Sequence, residues 1–260
     1  MGAARDAGAS ARDESAVALE DEHVNTVYNA IAPHFSATRS AEYAIWPRVR
    51  AFIDSLAPGA LVADVGCGNG KYFGVRPDIF VLGSDRSSGL ASVASQRLRR
   101  STAATQLADV AVADALALPL RPGSMDAALC IAVLHHMSSP ARRRELLAAL
   151  RGTLVPGGRA LVTAWATSQP AGKLAKWRPL PGGEANDYLV PWHVPLHRVE
   201  AAQAAAAPSA EVDARKSTVK LERYYHLFEQ RELEDLVASV PGATLLDSFF
   251  DKDNWCVVFS

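Results

Sequence analysis

Apolar positions along the chain change period at residue 61. Before it, Val24, Val27, Tyr28 and Ile31 recur at the spacing of one helical face, a stripe that Pro33 is expected to end. A second stripe, Trp46, Val49, Phe52, Ile53 and Leu56, predicts another helix with Pro47 in its first turn, where the missing N–H has no intrahelical partner to lose. From Leu61 onward, short continuous apolar runs replace the stripes. Strands are predicted over Leu61–Val65, Phe80–Asp85, Val110–Ala113, Ala127–Val133 and Arg159–Ala166, with helices near 87–100 and 140–153. Apolar strands alternating with helices specify an α/β fold whose parallel sheet is covered on both faces.

Residues 167–215 break this rhythm with Gly172, Pro179, Pro181, Gly182, Gly183, Pro191, Pro195 and Pro208, and are expected to form a flexible insertion. Order is expected to return at Val219–Phe228, followed by a helix near 230–240. The last two apolar segments, ATLLDSFF and NWCVVFS, joined by Asp251–Asp253, read as an antiparallel hairpin. Residues 1–18, small and charged without an apolar core, read as a disordered tail. No apolar run approaches the roughly 18 residues of a membrane helix.

Composition adds exclusions. The three cysteines, Cys67, Cys130 and Cys256, form no C-x-x-C pair and no zinc spacing, which argues for a reducing compartment and against a disulfide scaffold. His193 and His197 have helical spacing, but Pro191 and Pro195 oppose a helix there, so no metal site is expected. The net charge of −1 in 260 residues hides a division: residues 39–178 hold 18 basic and nine acidic side chains, and the flanking segments are acidic. A uniformly basic nucleic-acid binder is excluded, a basic core is not, and Arg97, Arg99, Arg100, Arg142, Arg143, Arg144, Lys173, Lys176 and Arg178 are candidate phosphate contacts.

The candidate chemistry begins where the first strand runs into Asp64-Val65-Gly66-Cys67-Gly68-Asn69-Gly70. Alternate glycines after a strand let the backbone turn tightly and bring N–H groups to a ligand at the sheet's C-terminal edge. The G-x-G-x-G spacing, preceded by an acid, differs from the G-x-G-x-x-G of dinucleotide sites. Asp85 ends the second strand, where a carboxylate can accept from both hydroxyls of a ribose, and Asp114 ends the third, placed to accept from an adenine amino group.

With these residues the chain resembles the class I S-adenosylmethionine-dependent methyltransferases, over about residues 45–260. The resemblance implies a Rossmann-like seven-stranded sheet, mostly parallel with an antiparallel C-terminal hairpin, and a methyltransferase domain over residues 19–260. It also implies S-adenosylmethionine bound by Asp64, Gly66, Gly68, Gly70, Asp85, Asp114, Ala115 and Ile131. Longer strings, VYNAIAPHFSATR, DVGCGNGKY, GSDRS, IAVLHHMSSPARR, GGRALVTAWA, VPWHVP and RYYHLF, are similar to the eukaryotic tRNA wobble-uridine carboxymethyl methyltransferases in their stand-alone form. That family esterifies a 5-carboxymethyluridine in the anticodon. The resemblance further implies the tRNA anticodon loop and a small zinc-binding activator subunit as partners, the latter on the edge strand with Val110 and Val112, and a cytoplasmic and nuclear location. A methyltransferase acting on a small-molecule or protein carboxylate is the alternative.

A carboxylate nucleophile is ionised at neutral pH and needs no general base. Arg39 and Arg86 are expected to hold it by forked hydrogen bonds, and His135 and His136 to face the transferred methyl group, with Tyr224 among the catalytic residues. Trp165, Tyr225 and Arg223 are the expected substrate-binding residues, the aromatics stacking on a splayed base. In RYYHLF, strand alternation puts Tyr224 and His226 on one face and Tyr225 and Leu227 on the other, so one of those faces belongs to the site.

Overall fold

The computed structural model describes residues 13–39, 45–100, 107–196 and 210–260. Five parallel strands, β1 (Leu61–Val65), β2 (Phe80–Asp85), β3 (Ala108–Val112), β4 (Met125–Ile131) and β5 (Leu154–Trp165), carry the expected Rossmann-like core. The hairpin of β10 (Leu245–Asp251) and β11 (Asn254–Phe259) adds antiparallel to β5, giving the order β10-β11-β5-β4-β1-β2-β3. The chain runs outward from β1 to β3 and then returns to β4 on the other side of β1. Connections therefore diverge between β1 and β4, and a crevice opens over their C-terminal ends.

Helices cover both faces because each carries an apolar stripe. Leu146, Leu147 and Leu150 of α4 (Pro140–Thr153) and Leu233 and Val237 of α5 (Glu232–Ala238) fill one side. Val49, Phe52 and Ile53 of α2 (Pro47–Asp54) and Ala94 of α3 (Ser88–Arg100) fill the other. Each fully buried leucine contributes about 1.5–3 kcal/mol of transfer free energy. Ser139 caps α4 by accepting from the Arg142 N–H, with Pro140 in the first turn.

Three expectations are corrected. Pro33 does not end the first helix: α1 (Thr26–Thr38) runs through it, because burying Val27, Ile31 and Ala32 outweighs one missing hydrogen bond. Residues 13–20 are helical and lead through a wider turn, Asp21–Asn25, into α1, so the part of the expected tail that is described is ordered; residues 1–12 lie outside the described residues. The expected flexible insertion contains strands: β6 (Arg178–Pro179), β7 (Asp187–Pro195) and β8 (Glu211–Asp213) join β9 (Thr218–His226) in a second, antiparallel sheet ordered β6-β7-β9-β8. Its prolines are compatible with this because β6 reaches just Tyr188 and Leu189, which leaves Pro191 and Pro195 on an edge of β7 that no described strand pairs. Residues 197–209 of the segment lie outside the described residues. The second sheet packs Val194, Val219 and Leu221 against Val27 and Ile31 of α1.

Two of the candidate phosphate contacts are structural. Arg142 makes a forked pair with the buried Glu20, Nε to Oε1 and Nη2 to Oε2 at 2.8 Å each, and Glu20 Oε1 also accepts from the Ser138 N–H and hydroxyl. Arg143 is equally buried and holds Glu184. Lys173 and Arg178 reach Asp253 and Glu222, whereas Arg99, Arg100, Arg144 and Lys176 are exposed. Removing one member of a buried ion pair strands the other charge. Arg142→Met is expected to cost about 3–5 kcal/mol in urea unfolding, and adding Glu20→Gln to recover part of that loss.

Candidate active site

A cavity of about 620 Å³ occupies the crevice above β1 and β4 and extends under α1 to β9. Its two halves differ in chemistry.

The first half is built from strand ends. Gly66 turns the chain off β1 with φ +74°, and a Cβ there would lie 2.3 Å from Val133 Cγ2, so no other residue fits. Gly68 donates its N–H to Asp85 Oδ2 at 2.9 Å, and Ser87 donates to Oδ1 at 2.8 Å. Each carboxylate oxygen keeps a lone pair for a further donor. Burial pushes the Asp85 carboxyl up to about 6. Asp64 lies beneath the loop, fully buried, with Oδ2 lacking a partner; burial first, then Asp85, pushes it up to about 7. Gly70 lies outside the cavity wall and closes the turn against Phe73. Asp114, Ala115 and Ile131 line the wall. Cys67 lines it too, its thiol held protonated by burial and by the carboxylates of Asp64 and Asp85.

Acceptors for a ribose diol at Asp85 and for an amino group at Asp114 fit the groups of S-adenosylmethionine, whereas Asp64, expected beside them, lies beneath the loop outside the cavity lining. Asp114 Oδ1 accepts from the Leu116 N–H, and Oδ2 from Arg86 at 2.9 Å. Arg86 also reaches Asp21 at 2.9 Å, so its fork is filled by two carboxylates and ties the N-terminal helix to the adenine end. Arg86, expected to hold a substrate carboxylate, lines the cavity but is engaged by these two carboxylates of the chain itself. Arg39 ends α1 on the exposed rim, 5.7 Å over the Phe35 ring, with Lys71 lining the same rim. Burial, then the Arg39 charge, lowers the Lys71 ammonium.

The second half is aromatic. Beyond β4 the backbone of Ala132 takes φ +60°, its N–H bonded to Thr163, and the chain folds into the short turn Leu134–His136. Both histidines are buried there. His135 stacks on Tyr225 at 4.7 Å, and its Nδ1 accepts from the Trp165 N–H at 3.2 Å, which leaves the proton of the neutral ring on Nε2. Burial holds His135 well below the ordinary histidine range and His136 down at about 3, so both rings are neutral at physiological pH. His136 donates from Nδ1 to the Tyr224 carbonyl at 2.8 Å and accepts at Nε2 from the Tyr28 hydroxyl at 3.0 Å. The Tyr225 hydroxyl, 3.2 Å away, then donates to Tyr28.

Arg223 completes this chain, donating to the oxygens of Tyr225 at 2.8 Å and Tyr28 at 3.3 Å and lying 4.6 Å over the Trp192 ring. It is 4% exposed, lines the cavity, and among the described residues has no carboxylate within ion-pair distance; its Nε has no partner at all. Trp165 stacks on Tyr225 at 4.4 Å and on Trp177 at 5.4 Å.

Strand alternation in β9 sends Arg223 and Tyr225 into the cavity and Tyr224 away from it. Tyr224 is fully buried on the opposite face and donates to Asp187 at 2.8 Å, so its expected catalytic role is corrected. Tyr28 and Trp192 were absent from the expected site. Tyr28 sits in an apolar stripe that reads as core, its polar tip the one available signal, and Trp192 falls in the segment expected to be a flexible insertion.

Comparison with known proteins agrees with this geometry. A family model described as a methyltransferase domain matches residues 63–162. A solved S-adenosylmethionine-dependent methyltransferase of Methanosarcina mazei shares the fold, with TM-score 0.58, 16% identity and coverage of 83% of this chain and 97% of that one. Fold and site together define a class I S-adenosylmethionine-dependent methyltransferase. An Arabidopsis thaliana tRNA (carboxymethyluridine(34)-5-O)-methyltransferase is 33% identical over 92% of this chain and 80% of its own length. A Schizosaccharomyces pombe protein of the same name is 36% identical over 93% and 97%. The chain belongs to the tRNA (carboxymethyluridine(34)-5-O)-methyltransferase family.

Hydrogen bonds from a ribose favour the ionised form of Asp85, so cofactor affinity is expected to fall as pH drops through about 6. Calorimetry with S-adenosylhomocysteine between pH 5 and 8 checks this; Asp85→Asn should bind weakly throughout and lose the dependence on that group.

Proposed function

We propose that this chain transfers the methyl group of S-adenosylmethionine to the carboxylate of 5-carboxymethyluridine at the tRNA wobble position, giving the methyl ester. The family of the relatives supports the substrate. The observation that carries the reading is Arg223: a buried guanidinium without a counter-ion among the described residues, facing the cavity, is matched by a substrate that brings its own carboxylate.

The bound cofactor supplies an electrophilic methyl group with a sulfonium leaving group. In the transfer, a carboxylate oxygen bonds to the methyl carbon as the carbon–sulfur bond breaks, and a negative and a positive charge cancel. No proton moves, which agrees with a pocket whose histidines are neutral. A surround of aromatic rings favours the collapse of an ion pair over its hydrated ground state. In this reading Arg223 orients the carboxylate, His135 offers its Nε2 proton as a hydrogen bond, and Trp165 with Tyr225 forms the platform for the uracil. Arg39 serves the rim rather than the reacting group.

The same reading assigns a small zinc-binding activator subunit to the free side of β3. Supporting it are the exposed Leu107 and Val112, 48% and 59% accessible, at an edge that no described strand pairs, whereas Val110, expected beside them, is half-buried against the core.

The test is transfer of radiolabelled methyl to tRNA by the protein with its activator, followed by nucleoside mass spectrometry for the ester. Absence of the ester, or activity that survives ribonuclease, overturns the substrate assignment. Arg223→Gln is expected to lower kcat/KM about 10- to 100-fold, the loss of one or two hydrogen bonds to a charged group, with cofactor affinity unchanged by calorimetry.

A further inference from the structure

Behind the cavity, on the far face of β9, lies a second cluster of buried charges that the methyl transfer does not touch. At its centre is Asp187 of β7, 2% exposed. Its Oδ1 accepts from the Tyr224 hydroxyl at 2.8 Å and from His226 Nδ1 at 2.7 Å, and its Oδ2 from the Glu184 N–H at 2.9 Å. His226 Nε2 lies 2.8 Å from Glu232 Oε1 on α5. Carboxylates donate nothing, so both ring nitrogens carry protons and the side chain is an imidazolium.

Tyr224 and His226 flank Tyr225 in sequence. One carboxylate oxygen thus grips the residues on both sides of the ring that stacks on Trp165 and His135, while the Tyr224 carbonyl fixes His136. Tyr225 in turn accepts from Arg223. The buried cluster and the substrate-facing residues are therefore two faces of the same four residues of β9.

We propose that His226 is a positioning residue for methyl transfer: its two N–H groups, shared between Asp187 and Glu232, clamp the strand segment that carries Arg223 and Tyr225, and loss of one proton releases the clamp. This rests on the function assigned to the cavity above. Charged and titratable groups face His226 from each packed element: Asp187 from β7, Glu184 from the preceding turn at 3.6 Å, Glu232 from α5, Arg143 from α4, Tyr224 on β9 itself, and His135 beyond β4. Its two carboxylate bonds outweigh burial and the Arg143 charge and raise the ring above the ordinary histidine value. A folded-state value so raised contributes stability that is complete below the unfolded value and disappears as pH rises through the folded one.

The reacting carboxylate and sulfonium hold their charge state across the neutral range, so an alkaline fall that the variants displace or abolish reports the clamp. Initial rates of ester formation on tRNA, with the activator present, are measured from pH 6 to 10 for wild type, Glu232→Gln and His226→Gln. With S-adenosylmethionine kept saturating, so that the acid-side loss of cofactor affinity does not enter, wild type is expected to be level and then fall. Glu232→Gln, which removes one carboxylate from the ring, should move the fall about one pH unit or more lower. His226→Gln should be about three- to tenfold slower and lack that fall, with cofactor affinity within twofold of wild type. A fall at the same pH in all three proteins, as Lys71 on the cavity rim would give, overturns the proposal, as does a wild-type profile with no fall. Ester absent at every pH from wild type takes down the substrate reading and this inference with it. Ester present with an unmoved limb takes down this inference alone.

Discussion

A guanidinium buried at the heart of a cavity, with hydroxyl oxygens and rings for company and no carboxylate among the described residues, sets the terms for the substrate half of this molecule. Arg223 is tolerable there because Tyr28 and Tyr225 turn their oxygens to it and Trp192 lies beneath it. Those three residues come from α1, β9 and β7. The N-terminal helix and the second sheet therefore enter the active site as walls around one charge. Their packing through Val27, Ile31, Val194, Val219 and Leu221 is what holds the walls at the right separation.

The cofactor half obeys a different logic. Its donors and acceptors are backbone amides and strand-end carboxylates whose positions follow from the pairing of β1, β2 and β3. Gly68, Asp85 and Ser87 are joined by hydrogen bonds that link two neighbouring strand ends, so the loop is set in place by the sheet. Arg86 couples the halves: it hooks Asp114 at the adenine end to Asp21 on the turn that leads into α1.

This division explains what could be read from the sequence. β1 and β2 match their predicted bounds residue for residue, and Asp64, Asp85 and Asp114 stand just before, at and just beyond strand ends, because local periodicity and glycine spacing encode them. The substrate half resisted because its contacts are long-range: Tyr28 meets Tyr225 across 197 positions and His136 across 108. Alternation in RYYHLF correctly separated Tyr224 from Tyr225 but carries no sign to say which face looks inward. Prolines 191 and 195 suggested an insertion without strands, since a sequence does not show which side of β7 the described strands leave unpaired. Arg142 and Arg143 counted toward a basic surface, but burial against Glu20 and Glu184 removes them from it.

Cys67, in the wall beside the glycine loop, acquires a meaning from the chemistry around it. A thiolate is a far better methyl acceptor than a carboxylate, and a sulfur nucleophile in the cofactor's own chamber would compete with the substrate for every turnover. Burial and the nearby acids keep that sulfur protonated. Burial first, and then the acids around it, thus set a protonated thiol rather than a competing nucleophile in the wall of the chamber where methyl transfer takes place.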